Sequence, residues 1–376
     1  MHEGLTDIIK LSRYYGRDPE WVIAGGGNSS VKDDRRLLVK ASGSSMGSAT
    51  PESFVAIDRK RLAPMWSKEF PDEPDARERE ALEELMNARE PEQTARPSVE
   101  TGMHDIFPQR LVLHTHPTLV NGLTCSVDGE RIAKELFAAE AIWIPSINPG
   151  YVLSKRIAGE IAAYTEAHGV APRVVLLQNH GLTVAGENVS EIHRLHTEIL
   201  QALLPRIERE PDLSTAPVNL EQAERVKVAL KEAYRSVTEE EGVVLFDVTR
   251  ELLSRAESEE AVQPVLLPLT PDHIVYAGHA PLYVADSAEV ADRYRRSAEA
   301  HDVPPKCVIL RGLGLFTVAS TERAAETARM LFRDATKITR YAESFGGVKA
   351  MDPEEVEFIQ GWEVERFRTK MSLGDE

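Results

Sequence analysis

RLVLHTHP, from Arg110 to Pro117, is a strongly β-forming segment that carries two histidines two residues apart. Side chains alternate faces along a strand, so His114 and His116 project from the same side. A second segment, PRVVLLQNHGLTVAG at 172–186, reads as a strand, a tight turn at His180-Gly181 and a second strand, with Gly181 allowing an unusual backbone there. An H-x-H pair alone is more often surface or core histidine than a ligand pair. A third histidine on a separate strand pair, with an acid nearby, turns the reading to a metal centre. Three histidines leave a position open for substrate, the usual arrangement of a catalytic divalent site. The acid is Glu100 in Pro97-Ser98-Val99-Glu100-Thr101. At a helix start it would ordinarily be a carboxylate favoured by the dipole. Beside a metal it would take a proton from a carbon or hydroxyl whose acidity the metal has raised.

Working outward, residues 5–16 read as a helix, and three short β runs follow at Trp21–Ala24, Ser30–Lys32 and Arg36–Ala41, separated by turn-forming Gly25-Gly26-Gly27-Asn28 and Asp33-Asp34. Phe54–Ile57 is a further strand and 75–89 a charged helix. Helices are expected at 118–124, 129–139, 151–168 and 188–205, with a strand at Ala141–Ile144. This irregular mixture predicts an α/β layered domain, a central sheet flanked by helices, rather than a regular parallel dinucleotide-binding sheet. The polar segment REPDLSTAP at 209–217 is the expected linker, giving a catalytic domain over 1–208 and a smaller α/β domain over 218–376 that ends in long helices at 320–342 and 353–372.

The glycine run and Lys40-Ala41-Ser42-Gly43-Ser44-Ser45 offer backbone N–H and hydroxyl donors suited to an anion. Neither has the spacing of a Walker loop or a dinucleotide fingerprint. His193 and His196 read as exposed helix residues, and His104 as a residue supporting the metal site from behind.

The second region contains an echo of the first. PKCVILRGLGLFTVA at 305–319 matches 172–186, and PDHIVYAGHA at 271–280 resembles PQRLVLHTHP at 108–117. In that alignment Leu313 replaces His180 and Ala277 replaces His114, while His279 keeps the place of His116. A degenerate repeat without its metal site is therefore expected, with strands at 272–277, 307–310 and 315–318 in one sheet.

A net charge of −17 makes nucleic acid an unsuitable partner. Two distant cysteines, Cys125 and Cys307, provide no disulfide framework and fit a reducing compartment. The sequence has neither a signal-like start nor an apolar run long enough to span a bilayer, so a soluble cytoplasmic protein with no membrane partner is expected.

GGGNSS, VKASGSS, RPSVET, LHTHP and LQNHGLTVAG, in this order over residues 5–205, together resemble the class II aldolase/adducin family. They are most similar to the aldolase portion of rhamnulose-phosphate aldolase/dehydrogenase-type proteins, although no glycine fingerprint of the dehydrogenase half follows a strand here. The resemblance implies Zn2+ or another divalent metal on His114, His116 and His180, with Glu100 as catalytic acid/base. It implies sugar-phosphate donors at Asn28, Ser42, Gly43 and Ser98, and Tyr151 as the tyrosine that family members supply at a subunit interface. The implied reaction is retro-aldol cleavage of a ketose or sugar phosphate through a metal-stabilised enediolate, in a homo-oligomer, by family habit a cyclic tetramer. Val99 stands where fuculose-phosphate aldolases carry a second serine, which removes one phosphate-binding hydroxyl. A 4-epimerase or dehydratase of the same family, and a non-catalytic adducin-like protein, are the alternative readings.

Overall fold

A computed structural model describes residues 4–137 and 140–373. The chain divides into two compact units. Among the described residues, 4–124, 128–137, 140–206 and 357–373 form the first, and 125–127 with 207–356 form the second.

The first unit is built on a seven-stranded sheet of β1 (Asn28–Lys32), β2 (Arg36–Lys40), β3 (Phe54–Asp58), β4 (Leu111–Thr115), β5 (Ala141–Ile144), β6 (Val174–Leu177) and β7 (Gly181–Gly186). Its order is β3-β2-β1-β4-β7-β6-β5, antiparallel throughout except for the parallel β5–β6 pair. β4 lies centrally and all five of its residues are buried, which suits its near-continuous apolar sequence. Helices Leu5–Gly16, Tyr151–His168 and Val189–Leu203 have the expected positions, and Asn188 caps the last by accepting from Glu191 N at 3.0 Å, a contact worth about 1 kcal/mol. The expected helix over 129–139 is present as Gly129–Phe137; residues 138 and 139 lie outside the described residues, as do 1–3 of the N-terminal segment read for a signal.

Two local expectations fail. Residues 21–24 form no strand: Ala24 has φ 53°, and the carbonyls of Glu20 and Trp21 accept from Thr118 and His116 N–H, so this backbone braces the end of β4. The long C-terminal helix is two, Pro353–Gly361 and Glu363–Leu373, interrupted at buried Trp362. The residues from 357 onward return to the first unit, where Arg96 pairs with Glu363 at 2.9 Å and its guanidinium lies over Phe367.

The second unit carries β8 (Val243–Asp247), β9 (Leu282–Val284), β10 (Cys307–Leu310) and β11 (Gly314–Ala319) in the order β8-β11-β10-β9. β8 and β10 run antiparallel to β11, and β9 runs parallel to β10. This is the arrangement of β4-β7-β6-β5 repeated. The expected strand at 272–277 is absent, because His273–Ala277 form a turn of π-helix. The partner of β11 is instead β8, which gives the repeat a different third strand from the one the sequence comparison selects. Register makes the new equivalence definite. Thr183 pairs with His114, and Phe316, 133 residues beyond Thr183, pairs with Phe246. The counterparts of His114, His116 and His180 are thus Phe246, Val248 and Leu313, not Ala277, His279 and Leu313. His279 is not on a strand, and its ring packs edge-on to His301.

Among the described residues no helix is long and apolar enough to cross a membrane.

Candidate active site

β4 and the β6–β7 turn deliver the three histidines. His114 and His116 leave the same face of β4, and His180 closes the turn that begins at Leu177, where its N–H donates to the Leu177 carbonyl at 3.1 Å. The left-handed residue of this turn is Asn179, with φ 54°, not Gly181. Gly181 serves another need: a Cβ there would stand 2.5 Å from the Thr115 carbonyl oxygen and 2.8 Å from His116 Cδ2. Its lack of a side chain lets the two strands close around the histidines.

The metal-ligating atoms of His114, His116 and His180 lie within 4.8 Å of one another, and this is the one such histidine, cysteine or carboxylate group among the described residues. His114 Nδ1 lies 3.1 Å from the Leu182 carbonyl oxygen and 3.1 Å from Thr183 Oγ1. A carbonyl can only accept, so Nδ1 carries the proton and Nε2 presents its lone pair. Burial lowers the His114 pKa well below the usual 6.5, which keeps the ring neutral. His114 Nε2 faces His116 Nε2 at 3.0 Å. A divalent cation fits this set of inward-facing nitrogens, and the chemistry of the donors matches that of a three-histidine site.

Glu100 precedes the helix Thr101–Ile106 and is buried. Its Oε1 lies 3.4 Å from His180 Nε2 and 3.8 Å from His114 Nε2, and it makes no hydrogen bond. Oε2 accepts from Asn28 Nδ2 at 2.6 Å. Burial presses the Glu100 carboxyl upward, but His114, His180, the Asn28 donor and His116 together hold it down at about 2, so it stands as a carboxylate.

Asn28 and Ser98 meet at 3.3 Å, and Ser98 Oγ also accepts from Glu100 N–H at 3.2 Å. The loop after β2 lies alongside: Ser42 N–H donates to the Arg96 carbonyl at 2.9 Å, and Ala41 bridges to Pro97. Asn28 and Ser98 thus contact Glu100 directly, while Ser42 and Gly43 lie on the adjoining loop, where Ser42 bonds to Arg96 rather than to Glu100. Gly43, with φ 77°, backs directly onto Met371 of the C-terminal helix.

Tyr151 is not brought to this group. It starts the helix Tyr151–His168 inside a separate core with Leu85 and Ala81, its ring near Phe70 and Trp66. The buried Glu78 carboxylate caps that helix by accepting from Tyr151 N–H at 2.8 Å. His196, read as exposed, is buried, with its ring against Tyr15 and Trp21. Sequence reasoning missed Thr183 behind His114 and Ser30 and Lys32 against His104. The alternation of polar residues at 28, 30 and 32 was the available signal.

Residues 6–203 match the family described as the class II aldolase and adducin N-terminal domain. An uncharacterized oxidoreductase of Bacillus subtilis (strain 168), YuxG, is 22% identical over 98% of this chain and 59% of its own length. The chain thus spans under two thirds of that relative. A methylthioribulose-1-phosphate dehydratase of Pseudoalteromonas translucida (strain TAC 125) is 24% identical over 53% of this chain and 87% of its own. The solved N-terminal class II aldolase domain of a conserved protein from Thermoplasma acidophilum is 26% identical, with a TM-score of 0.44, over 54% of this chain and 92% of that one.

Proposed function

This chain belongs to the class II aldolase and adducin family, and from that premise we propose that it is a divalent-metal lyase, zinc being the first candidate, acting on a small hydroxy-carbonyl sugar or sugar phosphate. The observation that carries this reading is the bare, buried Glu100 Oε1 facing three convergent imidazoles. An adducin-like scaffold without chemistry has no use for an ionised carboxylate held in that position.

His114, His116 and His180 would hold the metal, which supplies Lewis acidity for a substrate carbonyl and its neighbouring hydroxyl. Glu100 removes the proton whose loss starts bond cleavage and returns it to the product carbon. Asn28 and the Ser98 hydroxyl fix the carboxylate, and Ser42 and Gly43 line the expected path for the substrate's far end. Ser42, Gly43 and Ser98 remain assignments by family pattern, as does the oligomer; Tyr151, buried in its own core, is not the tyrosine that such an interface would donate. Retro-aldol cleavage of a ketose or ketose phosphate is the primary reading.

A second reading, dehydration, is favoured by the dehydratases among the sequence relatives, which are 24–30% identical. Retro-aldol cleavage takes the proton of the β-hydroxyl and breaks the Cα–Cβ bond, whereas dehydration takes the α-carbon proton and expels the β-hydroxyl as water. Metal-loaded protein incubated with a panel of ketose phosphates and free ketoses distinguishes them. Release of a short aldehyde, trapped by a coupled reductase, supports the aldolase. Loss of 18 mass units from an intact carbon chain supports the dehydratase. Neither product from any substrate, with metal bound, contradicts both.

A further inference from the structure

Three alternate residues of β1 converge on one histidine outside the metal centre. Asn28, Ser30 and Lys32 point to the same face. Lys32 Nζ donates to the His104 carbonyl at 2.6 Å, Ser30 Oγ lies 2.7 Å from His104 Nδ1, and Asn28 Oδ1 contacts His104 Nε2. His104, Ser30 and Asn28 are all buried.

The direction of these bonds follows from Glu100. Its Oε2 lies 2.6 Å from the Asn28 NH2 group, which donates there and faces Ser98 Oγ at 3.3 Å. The amide oxygen is then the atom that meets His104 Nε2 and requires a donor there. With the proton on Nε2, a neutral ring has a lone pair at Nδ1, which the Ser30 hydroxyl fills. Donation therefore runs one way, from Ser30 to His104, from His104 to Asn28 and from Asn28 to Glu100. Lys32 anchors the backbone of the same helix.

Resting on the lyase reading, we infer that His104 is a positioning residue that locks the Asn28 amide, pinning Glu100 Oε2 and leaving Oε1 as the single oxygen free to exchange a proton with substrate. The chain is a clamp rather than a proton relay, because each link already holds its hydrogen in the direction of Glu100. An unclamped Asn28 could turn its oxygen toward the carboxylate, and the repulsion would swing Glu100 from its place.

Nitrogen-15 NMR of histidine-labelled, metal-loaded protein at pH 7 reads the lock without any substrate. The ring signal missing from His104→Gln identifies His104. It should be the neutral tautomer with its proton on Nε2, and Ser30→Ala should shift its Nδ1 resonance without changing the tautomer. A proton on Nδ1, or on both nitrogens, overturns the inference. Once a substrate is found, His104→Phe should lower kcat about 10–100-fold with KM and metal content held. His104→Gln, which can both donate to Asn28 and accept from Ser30, should recover to within a few-fold of wild type. Equal losses in the two variants also overturn the clamp. Absence of turnover in the wild type would end the lyase reading while the tautomer still decides the lock.

Discussion

Residues 172–186 and 305–319 build the same object with different purposes. In the first, Leu177 pairs with Gly181 across the turn; in the second, Leu310 pairs with Gly314. The left-handed position falls at Asn179 in one and Gly312 in the other. His180 N–H donates to the Leu177 carbonyl and Leu313 N–H to the Leu310 carbonyl, both at 3.1 Å. A Cβ on Gly181 would meet the Thr115 carbonyl oxygen at 2.5 Å, and one on Gly314 would meet the Asp247 carbonyl oxygen at the same distance. Asn188 caps the helix after the first, Thr321 the helix after the second. What changes is the chemistry at three positions. Where the first unit holds His114, His116 and His180, the second holds Phe246, Val248 and Leu313, with Leu313 buried in an apolar cluster and Phe246 packed against it. The arrangement of strands is thus set by apolar alternation, a left-handed turn residue and a glycine at the close approach. The imidazoles are an addition that the fold does without.

The largest expected contrast is catalytic. Glu100→Gln should retain the metal and lose about 10²–10⁴ in turnover, measured on whichever substrate the product screen identifies. Val248→Ala, at the counterpart of His116, should leave metal content and turnover unchanged. Parallel loss of metal in Glu100→Gln would make that residue chiefly a ligand.

The shared turn predicts matched losses in stability. Gly181→Ala and Gly314→Ala should each cost about 1–3 kcal/mol by forcing strands apart. Gly314→Ala should be the worse, since φ of 141° adds backbone strain. Denaturant unfolding that finds either change neutral would break the equivalence of the two turns. Asn179→Gly, which copies Gly312, should change stability by less than about 1 kcal/mol, whereas Asn179→Val should cost about 1–2 kcal/mol.

Much of this was readable beforehand where the signal is local. Period-two alternation and the turn letters located β4, β6 and β7, and the three histidines with Glu100 stood out because ligand chemistry restricts residue type. The third strand of the repeat was not readable. VVLFD at 243–247 lacks the histidines that make β4 conspicuous, whereas PDHIVYAGHA resembles the β4 segment through His279. Strand pairing across some seventy residues leaves no local mark. Residues 21–24 were misread for a similar reason: their apolar letters suit a strand, but their backbone is committed to the end of β4. The return of residues from 357 onward buries Ile359, Trp362 and Val364 and brings Glu363 to Arg96, pairings no periodicity announces.

The smallest contrast concerns acid. His196, in the helix after β7, is buried, and burial depresses its pKa from 6.5 to about 4; the residue 133 positions on in the second unit is Arg329, not a histidine. The folded state therefore binds fewer protons than the unfolded state between those values. Stability from this group is complete above pH 6.5 and falls as pH drops toward 4, with a slope of at most about 1.4 kcal/mol per pH unit. His196→Leu should flatten part of the acid limb of the unfolding midpoint against pH, with His104 supplying a share of what remains. An unchanged limb would mean that His196 is not buried neutral.

The central claim is that one unit holds a metal centre and the other has lost it. Elemental analysis of purified, zinc-loaded protein after exhaustive dialysis tests this most directly. The account predicts close to one divalent ion per chain, falling to nearly none in His116→Ala. No tightly bound ion in the wild type, or two per chain with one surviving in His116→Ala, would contradict it.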